Sequence, residues 1–370
     1  MRILIFNWRD IKNPNFGGAE IATHEIAKRL VAWGHEVTLF SSRFHSGKEE
    51  ESVDGVKVLR AGSPFTVHLA AFWNYQKKFK GNFDLVIDQI HGLPFFTPLY
   101  VKEPKIAYIH EVAKNIWFWE WPLPVALAGF LGDFLLFRLF YRNTNFITGS
   151  NSTLNDLQSV GIPKKNIKIV RYGVPKKTVS QSYRKEKYPA VIFVGRIYRA
   201  KRIEEILKAA KLLIKKYPKL QLWIVGKGKK KYEENLKKLV NRLKIDPCTK
   251  FYGFLDEKKK FELISKAWVI CATSVKEGWG LTIVEAASVG TPAVVYNVGG
   301  LKEVVINNKT GIICQKNTPE SLAQNILKLI SDQKLRSKLE ENATIFASSF
   351  SWEKTAKEFA SVINQVVKAS

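Results

Sequence analysis

Residues 268–285 read WVICATSVKEGWGLTIVE, and this stretch decides the fold class. Trp268–Ala272 predicts a buried strand, and a turn bracketed by glycines follows at Glu277–Gly280. Leu281–Ser288 then predicts a helix. A strand that runs through a short turn into a helix is the building unit of parallel α/β sheets. The stretch therefore predicts a parallel-sheet α/β domain.

The same alternation of apolar strands and helices occurs in both halves of the chain. Its 370 residues exceed what one ordinary core organises, so two domains are expected. Ala19–Ala32 is the clearest helix, and Gly34 terminates it. We predict an α/β fold with two Rossmann-like domains. The predicted divisions are an N-terminal domain (1–173), a polar, basic linker (174–189), a C-terminal domain (190–350) and a final helical segment (351–370) that returns to the N-terminal domain.

The predicted strands of the first domain are short apolar runs, each followed by a turn or a helix. They are Ile3–Phe6, Glu36–Ser41, Val56–Leu59, Leu85–Ile87, Lys105–Ile109, Phe146–Thr148 and Ile167–Arg171.

The composition indicates a folded, strongly basic protein. Hydrophobic residues make up 46% of the chain, and the formal net charge is +26. Runs such as Lys227–Lys231 and Lys258–Lys260 are interpreted either as solvated faces or as surfaces that dock on a membrane. The three cysteines form no metal or disulfide pattern, and the N-terminus lacks the regions of a signal peptide. Both features predict a cytoplasmic protein without a metal.

The turn at Glu277–Gly280 carries the strongest functional signal. Gly278 and Gly280 allow backbone amides to approach a ligand, and the N-terminus of the following helix favours an anion such as a diphosphate. Glu277 and Glu285 can hold hydroxyl groups at opposite ends of a sugar nucleotide. Taken alone, the same pair also fits one helix-capping glutamate and one exposed glutamate.

A second signal follows the first strand of the C-terminal domain. Gly195 and Arg196 end that strand, and Lys201 follows five residues later, where a basic pair suits a phosphate group. A surface pair in a basic protein is the alternative. Gly226 ends the next strand, but glycine is an ordinary strand terminator.

Together, FGGAE, GRIYRAK, IVGKG and EGWGLTIVEAASVGTPAVVYNVGGLKEVV resemble glycosyltransferase family 4, whose members have the GT-B fold. The resemblance covers nearly the whole chain and implies two Rossmann-like domains that face each other across a cleft. It implies a retaining transfer from a nucleotide-diphosphate sugar without a metal or other cofactor. Trp279 stands where phenylalanine is more usual. The donor-binding residues it implies are Gly17, Gly18, Gly195, Gly226, Gly278, Trp279, Gly280, Leu281 and Glu285.

The resemblance also implies catalytic roles for four residues. Arg196 and Lys201 would neutralise the diphosphate, Glu277 would bind hydroxyls of the donor sugar, and His110 would lie near that sugar. A structural role is the alternative for His110, and His91 and Asp88 are weaker candidates on a neighbouring loop. A front-face mechanism, in which the leaving phosphate helps to deprotonate the acceptor, follows from the resemblance.

The segment Ile116–Tyr141 points to the acceptor. Its sequence, IWFWEWPLPVALAGFLGDFLLFRLFY, is unusually aromatic and apolar, but its longest uncharged run has only twelve residues. That length is short of the ~20 residues that span a bilayer. We interpret it as an element that lies in the membrane interface, where a polyprenyl-linked glycan acceptor would be presented. The alternative is a soluble enzyme that acts on a small sugar or sugar phosphate, with this segment packed in a dimer.

Two other classes are disfavoured. An oxidoreductase would carry GxGxxG after its first strand, where this chain reads NWRDIKNPNFGGAE. A nucleic-acid-binding protein would carry a helix-turn-helix, zinc-finger or RNA-binding signature, and the sequence shows none. We therefore expect no nucleic-acid partner.

Overall fold

The computed structural model describes residues 1–175 and 184–369. They form two compact units. The first consists of Met1–Gly173 together with the chain from Trp352 onward, and the second of Val174–Ser351. Most of the predicted linker, residues 176–183, lies outside the described residues.

The first unit is built on an eight-stranded sheet in the order β3-β4-β2-β1-β5-β6-β7-β8. All neighbouring strands are parallel except β3 and β4. Their central residues are buried, as expected for a sheet covered by helices on both faces. The strands are β1 (Arg2–Phe6), β2 (Glu36–Ser41), β3 (Glu50–Val53), β4 (Val56–Arg60), β5 (Leu85–Ile90), β6 (Lys105–Ile109), β7 (Asn145–Thr148) and β8 (Ile167–Ile169).

Strand β3 was not predicted. It forms an antiparallel hairpin with β4 through Asp54 and Gly55, whose φ angles are +50° and +81°. An Asp-Gly pair with positive φ at both positions suits a tight hairpin turn. Because β3 is a charged strand at the edge of the sheet, it lacks the apolar pattern that identifies a strand in the sequence.

Helices cover the sheet of the first unit. Two of them continue into π-helical turns, at Tyr75–Phe79 and Phe137–Tyr141. The helices are α1 (Gly18–Ala32), α2 (Val67–Asn74), α3 (Thr97–Tyr100), α4 (Ile116–Glu120), α5 (Leu123–Leu136) and α6 (Asn151–Ser159).

The second unit has a six-stranded, fully parallel sheet in the order β11-β10-β9-β12-β13-β14. This order is that of a Rossmann sheet, and the order of the strands reverses between β9 and β12, the switch point where ligands of α/β sheets bind. The prediction of two parallel-sheet α/β domains is confirmed. The strands are β9 (Ala190–Val194), β10 (Gln221–Val225), β11 (Thr249–Gly253), β12 (Val269–Ala272), β13 (Ala293–Val295) and β14 (Gly311–Ile313).

The helices of the second unit follow these strands in alternation. Two of them, α12 and α13, come after the last strand. They are α7 (Ile203–Leu213), α8 (Lys230–Leu243), α9 (Glu257–Lys266), α10 (Leu281–Ser288), α11 (Gly299–Val304), α12 (Pro319–Ser331) and α13 (Gln333–Ser348).

The last helix, α14 (Trp352–Lys368), belongs to the first unit. Phe359 on this helix is buried, and its ring centroid lies 5.2 Å from that of Tyr108 on β6. Thr355 Oγ1 donates to the carbonyl oxygen of Arg171 at 2.8 Å. Burying a phenylalanine side chain contributes roughly 1.5–3 kcal/mol, so these contacts hold the end of the chain on the first unit.

The end of the predicted linker is attached to the second unit through Lys185. Its Nζ donates to the carbonyl oxygens of Ala267 and Gly290 and to Thr291 Oγ1, at 2.8–2.9 Å. Burial lowers the pKa of Lys185 to about 8. The residues just before β9 are therefore part of this unit's packing.

Candidate active site

Three glycines bring two loops of the second unit into close contact. Gly195 follows β9 and Gly226 follows β10. A Cβ atom on Gly226 would lie 1.8 Å from the carbonyl oxygen of Gly195, and one on Gly228 would lie 1.8 Å from that of Ile197. Only glycine fits at such distances. The predicted residues Gly195 and Gly226 thus lie against each other at the carboxyl end of the sheet.

The turn after β12 is hydrogen-bonded to the turn that carries Lys201. Thr273 Oγ1 lies 2.8 and 3.0 Å from the carbonyl oxygens of Lys201 and Arg202. The amide of Val275 donates to the carbonyl oxygen of Ala200 at 2.8 Å. These bonds fix the two turns at the switch point between β9 and β12.

This arrangement places Lys201 and Glu277 in contact, although 76 positions separate them in the sequence. Lys201 Nζ donates to Glu277 Oε1, and Ser274 Oγ donates to the same oxygen at 2.7 Å. Both charged side chains are mostly buried. Arg196 and Lys201 also lie on the ring of Tyr198, at 5.2 and 5.5 Å from its centroid. Two cations and one carboxylate therefore meet at this edge.

The glycine-bracketed turn is fixed from the opposite side by α11. The amide of Gly300 donates to the carbonyl oxygen of Glu277 at 2.9 Å, and a Cβ atom on Gly300 would lie 2.6 Å from that oxygen. Gly280 has φ = +85° and begins α10 at Leu281. The first amides of a helix have no partner within the helix, so this turn directs positive partial charge outward.

Trp279 contributes to packing through its side chain. Its ring is buried and lies 5.5 Å from that of Phe350, in an edge-to-face arrangement. Between Trp279 and the helix, Gly280 supplies the left-handed backbone. The part of Trp279 that the turn can offer to a ligand is therefore its backbone.

Glu285 lies inside α10 and pairs with a residue that the sequence did not link to this site. Lys260 Nζ on α9 is 2.8 Å from Glu285 Oε1. The interpretation of Lys258–Lys260 as a solvated or membrane-docking run is wrong for Lys260, whose side chain is 15% exposed. Lys260 lies one turn before Ile264 and next to Phe261, both buried. The apolar periodicity of α9 was the available signal.

In the first unit, Gly17 and Gly18 begin α1. The amide of Gly17 donates to Glu20 Oε2 at 2.6 Å, so this glutamate caps its own helix. Glu20 is buried, and Arg9 Nε lies 3.5 Å from its other oxygen. The sequence did not predict this Arg9–Glu20 pair behind the glycine loop.

His110 follows β6 and is held from both ring nitrogens. Its Nε2 lies 3.0 Å from Gln89 Nε2, and its Nδ1 lies 2.7 Å from the hydroxyl of Tyr172. Gln89 in turn accepts from Thr23 Oγ1 at 2.7 Å. Burial, with a smaller effect of the neighbouring His91, lowers the pKa of His110 to about 3. His110 is therefore a neutral imidazole at physiological pH.

The two weaker candidates in this unit differ in their surroundings. The His91 ring lies 6.1 Å from that of His110. Asp88 lies on β5 and is fully buried, and it accepts from the hydroxyls of Thr97 and Tyr141 and from two backbone amides. Burial raises the pKa of its carboxyl group. Asp88 therefore organises the loop that follows β5.

The apolar segment 116–141 forms α4, α5 and the π-helical turn. Leu123–Tyr141 is the one helix in residues 1–175 and 184–369 that is long and apolar enough, by length and composition, to cross a membrane. Only 17% of the most apolar 18-residue stretch of this helix is buried. The longest uncharged run in the sequence is shorter than this helix because Asp133 interrupts the run. The side chain of Asp133 turns inward, where it accepts hydrogen bonds from the Lys114 amide and from Trp117 Nε1.

Within the described ranges, no group of three or more His, Cys, Asp or Glu side chains is placed to hold a metal ion. Cys271 and Cys314 are buried and Cys248 is half-buried, and all three are free thiols. Metal-independent transfer stays a prediction.

Comparison with known proteins agrees with this architecture. The profile of the Glycosyl transferases group 1 matches residues 175–346, and that of Glycosyltransferase Family 4 matches residues 16–177. The chain is 31% identical to a D-inositol 3-phosphate glycosyltransferase of Corynebacterium urealyticum over 45% of the chain and 40% of that protein. It is 26% identical to an uncharacterised glycosyltransferase of Methanocaldococcus jannaschii over 96% of both.

The match therefore spans less than half the length of the Corynebacterium protein. Among solved structures, the fold is similar to that of sucrose-phosphate synthase from Thermosynechococcus elongatus, with a TM-score of 0.86 at 19% identity over the whole of both chains. The two profiles together cover both units, and the chain is a GT-B glycosyltransferase of the family 4 type.

Proposed function

We propose that this glycosyltransferase moves a sugar, with retention of configuration, from a nucleotide-diphosphate sugar to a glycan acceptor that is linked to a polyprenyl lipid at the cytoplasmic face of the membrane. The single observation that carries the acceptor assignment is the exposed row of leucines on α5 and the π-helical turn that continues it. The donor assignment rests on the pairing of Lys201 with Glu277 beside the N-terminus of α10.

The donor side has the charges that the chemistry requires. Breaking the bond between the anomeric carbon and phosphate leaves a nucleoside diphosphate with developing negative charge. Arg196, Lys201 and the first amides of α10 supply positive charge and hydrogen-bond donors for that group. In this proposal Glu277 accepts hydrogen bonds from hydroxyls of the donor sugar, and Glu285 accepts them from the ribose. In this proposal the leaving phosphate takes the proton of the acceptor hydroxyl.

The acceptor side is marked by five leucines spaced four residues apart on one helix. Each is 45–68% exposed. The opposite face of the helix is buried through Ala126, Asp133, Phe137 and Tyr141. A helix with one face packed on its own protein and leucines on the other face suits the membrane interface. The leucines are Leu123, Leu127, Leu131, Leu135 and Leu139.

Further apolar side chains extend this surface. Phe65, Leu69 and Trp73, in and just before α2, are 91%, 59% and 53% exposed. Ring contacts join α2 to α3, through Phe72 and Tyr100 at 5.2 Å, and the α3 region to the π-helical turn of α5, through Phe96 and Phe140 at 6.0 Å. Monomeric proteins rarely expose apolar surface on this scale without a function for it. This surface therefore favours a membrane.

A second candidate is a soluble enzyme that acts on a small sugar or sugar phosphate. The names of two similar proteins favour it, since one acts on D-inositol 3-phosphate and the other is a sucrose-phosphate synthase. In that case the leucine row would pack against a second copy of the chain.

The test is a transfer assay with the purified full chain, a panel of nucleotide sugars, and acceptors presented either in membranes or in water. Wild type is compared with Leu127→Ser/Leu131→Ser and with a control, Ile345→Ser, which removes a 64% exposed isoleucine from α13 in the other unit. Melting temperatures check that each variant is folded.

We expect transfer to the membrane acceptor to fall about tenfold or more in the leucine variant. Each substitution removes the roughly 1.5–3 kcal/mol of favourable free energy that a leucine contributes when it is buried in the membrane interface. The control variant should transfer like wild type. Efficient transfer to a water-soluble sugar phosphate, with no response to membranes, would instead establish the second candidate.

A further inference from the structure

A cavity of about 350 Å³ opens where α5 continues into its π-helical turn. Its wall combines two arginines, Arg138 and Arg142, with the exposed Leu135 and with Ser159 and Gly161 from the end of α6 and the residues after it. Neither the donor chemistry nor the leucine row accounts for the arginines.

The two arginines are one helical turn apart, so their side chains lie on the same face. Both residues are exposed. Among the described residues, no carboxylate lies within ion-pair distance of either guanidinium. Nearby, Asp156 is engaged by another cation, Lys114, at 3.0 Å. The cavity wall thus carries two positive charges that no described carboxylate neutralises.

The backbone around the cavity accommodates this arrangement. Gly161 has φ = +98°, and a Cβ atom there would lie 3.3 Å from Arg138 Cγ. The glycine therefore lets the stem of Arg138 lie against the loop. Asn166 Nδ2 donates to the carbonyl oxygen of Arg142 at 3.0 Å, which ties the turn Lys164–Asn166 to the end of the π-helical turn. That turn adds Lys164 and Lys165 to the positive charge.

The cavity is continuous with the leucine row. Leu135 both lines the cavity and belongs to that row, with 58% of its surface exposed. An anion held between Arg138 and Arg142 would therefore have aliphatic surface directly beside it. A phosphate group attached to hydrocarbon chains has this combination of charge and apolar surface, and guanidinium groups bind phosphate oxygens in pairs.

We propose that the cavity of Arg138 and Arg142 binds the phosphate group of a membrane lipid while the leucine row lies among its hydrocarbon chains. This inference rests on the proposed membrane location. It adds a chemical preference to that location: the surface binds membranes that display phosphate groups with accessible negative charge, and it does so through these two arginines.

The test is flotation of the full chain with vesicles of phosphatidylcholine alone and of phosphatidylcholine with phosphatidic acid. Wild type is compared with Arg138→Gln/Arg142→Gln. The matched control is Lys238→Gln/Arg242→Gln, which removes two exposed cations at the same spacing from α8 in the other unit. A thermal-shift titration with inorganic phosphate is run on all three proteins.

We expect phosphatidic acid to strengthen binding of wild type and of the control. The arginine variant should lose on the order of tenfold in affinity for these vesicles, since each basic residue at an anionic surface contributes several-fold. Equal binding by the arginine variant and the control would overturn the inference and leave the membrane location standing.

Two other outcomes would also overturn the inference. Stabilisation of wild type by inorganic phosphate that is lost in the arginine variant, together with unchanged vesicle binding, would assign the cavity to a soluble phosphate and overturn the lipid. Failure of wild type to bind either kind of vesicle would overturn the membrane location itself, and with it this inference.

Discussion

Lys260 Nζ on α9 lies 2.8 Å from Glu285 Oε1 on α10, and the two side chains are 15% and 4% exposed. The carboxylate is thus held in a largely buried position by one ammonium group, which also lies 4.8 Å from the centroid of the Phe261 ring. We infer that Lys260 positions Glu285 for the donor ribose.

Removal of Lys260 tests this pairing. Lys260→Met leaves the carboxylate of Glu285 buried without its cation, which should lower the free energy of unfolding by about 3 kcal/mol. Adding Glu285→Gln removes the uncompensated charge, so the double variant should recover most of that loss. Urea unfolding of the two variants and wild type measures both effects. A single variant as stable as wild type would show that the pair does not stabilise the fold.

Substitution of Glu277 should lower turnover without weakening the binding of the nucleoside diphosphate product. The carboxylate of Glu277 is paired with Lys201. Glu277→Gln removes that negative charge, so Lys201 becomes more available to a diphosphate and the nucleoside diphosphate should bind at least as tightly as to wild type. Turnover of the nucleotide sugar should fall on the order of a hundredfold, because a hydrogen-bond partner of the reacting sugar is weakened. Steady-state kinetics and calorimetry separate the two effects. Parallel losses in both would contradict the assignment.

Much of this site could be predicted from the sequence because its residues lie at strand ends. Gly195, Arg196 and the Glu277–Gly280 turn follow β9 and β12, and parallel strands carry such residues to one edge of the sheet. The contact between Lys201 and Glu277 could not be predicted from the sequence. It depends on the hydrogen bonds of Thr273 to the opposite turn, which join residues more than seventy positions apart.

The exposed surfaces were predicted less completely than the core. The apolar segment 116–141 is visible in the sequence, but its exposure is not, because a buried helix has the same composition. Asp133 made the segment look interrupted, whereas its side chain turns inward to Trp117. The contribution of Phe65 and Trp73 depends on how α2 packs, which a short segment does not reveal.

The two glycines after β10, Gly226 and Gly228, should tolerate no side chain. Gly228→Ala would place a Cβ atom 1.8 Å from the carbonyl oxygen of Ile197, so the two loops must separate. We expect a loss of several kcal/mol in unfolding free energy or a failure to fold, as for other overpacked or strained positions. Gly132→Ala in α5 is the control, since its nearest neighbour would be 3.8 Å away, and it should be neutral or stabilising by up to ~1 kcal/mol. Thermal and urea unfolding measure both, and equal stability of the two variants would contradict the close approach of the loops.

His110 should make the protein sensitive to acid. Its pKa is about 3 in the folded protein, against 6.5 for an unperturbed histidine. Between these values the unfolded chain binds a proton that the folded protein does not, so stability falls as pH is lowered from 6.5 towards 3. The slope from this one group is at most about 1.4 kcal/mol per pH unit. His110→Gln should show a shallower decline over this range, measured by urea unfolding at several pH values. Equal slopes for the two proteins would mean that His110 is not held neutral.

The most direct test of the donor site is calorimetric binding of uridine, guanosine and adenosine diphosphates to four proteins: wild type, Arg196→Ala, Lys201→Ala and Arg199→Ala. Arg199 is an exposed arginine between the other two and serves as the control. The site described above predicts that one diphosphate binds wild type and Arg199→Ala alike. It also predicts that each of the other two substitutions weakens binding by roughly ten- to a hundredfold, the value of a hydrogen bond to a charged group. Absence of binding by all three diphosphates, or an equal loss in Arg199→Ala, would contradict a donor site built on Arg196 and Lys201.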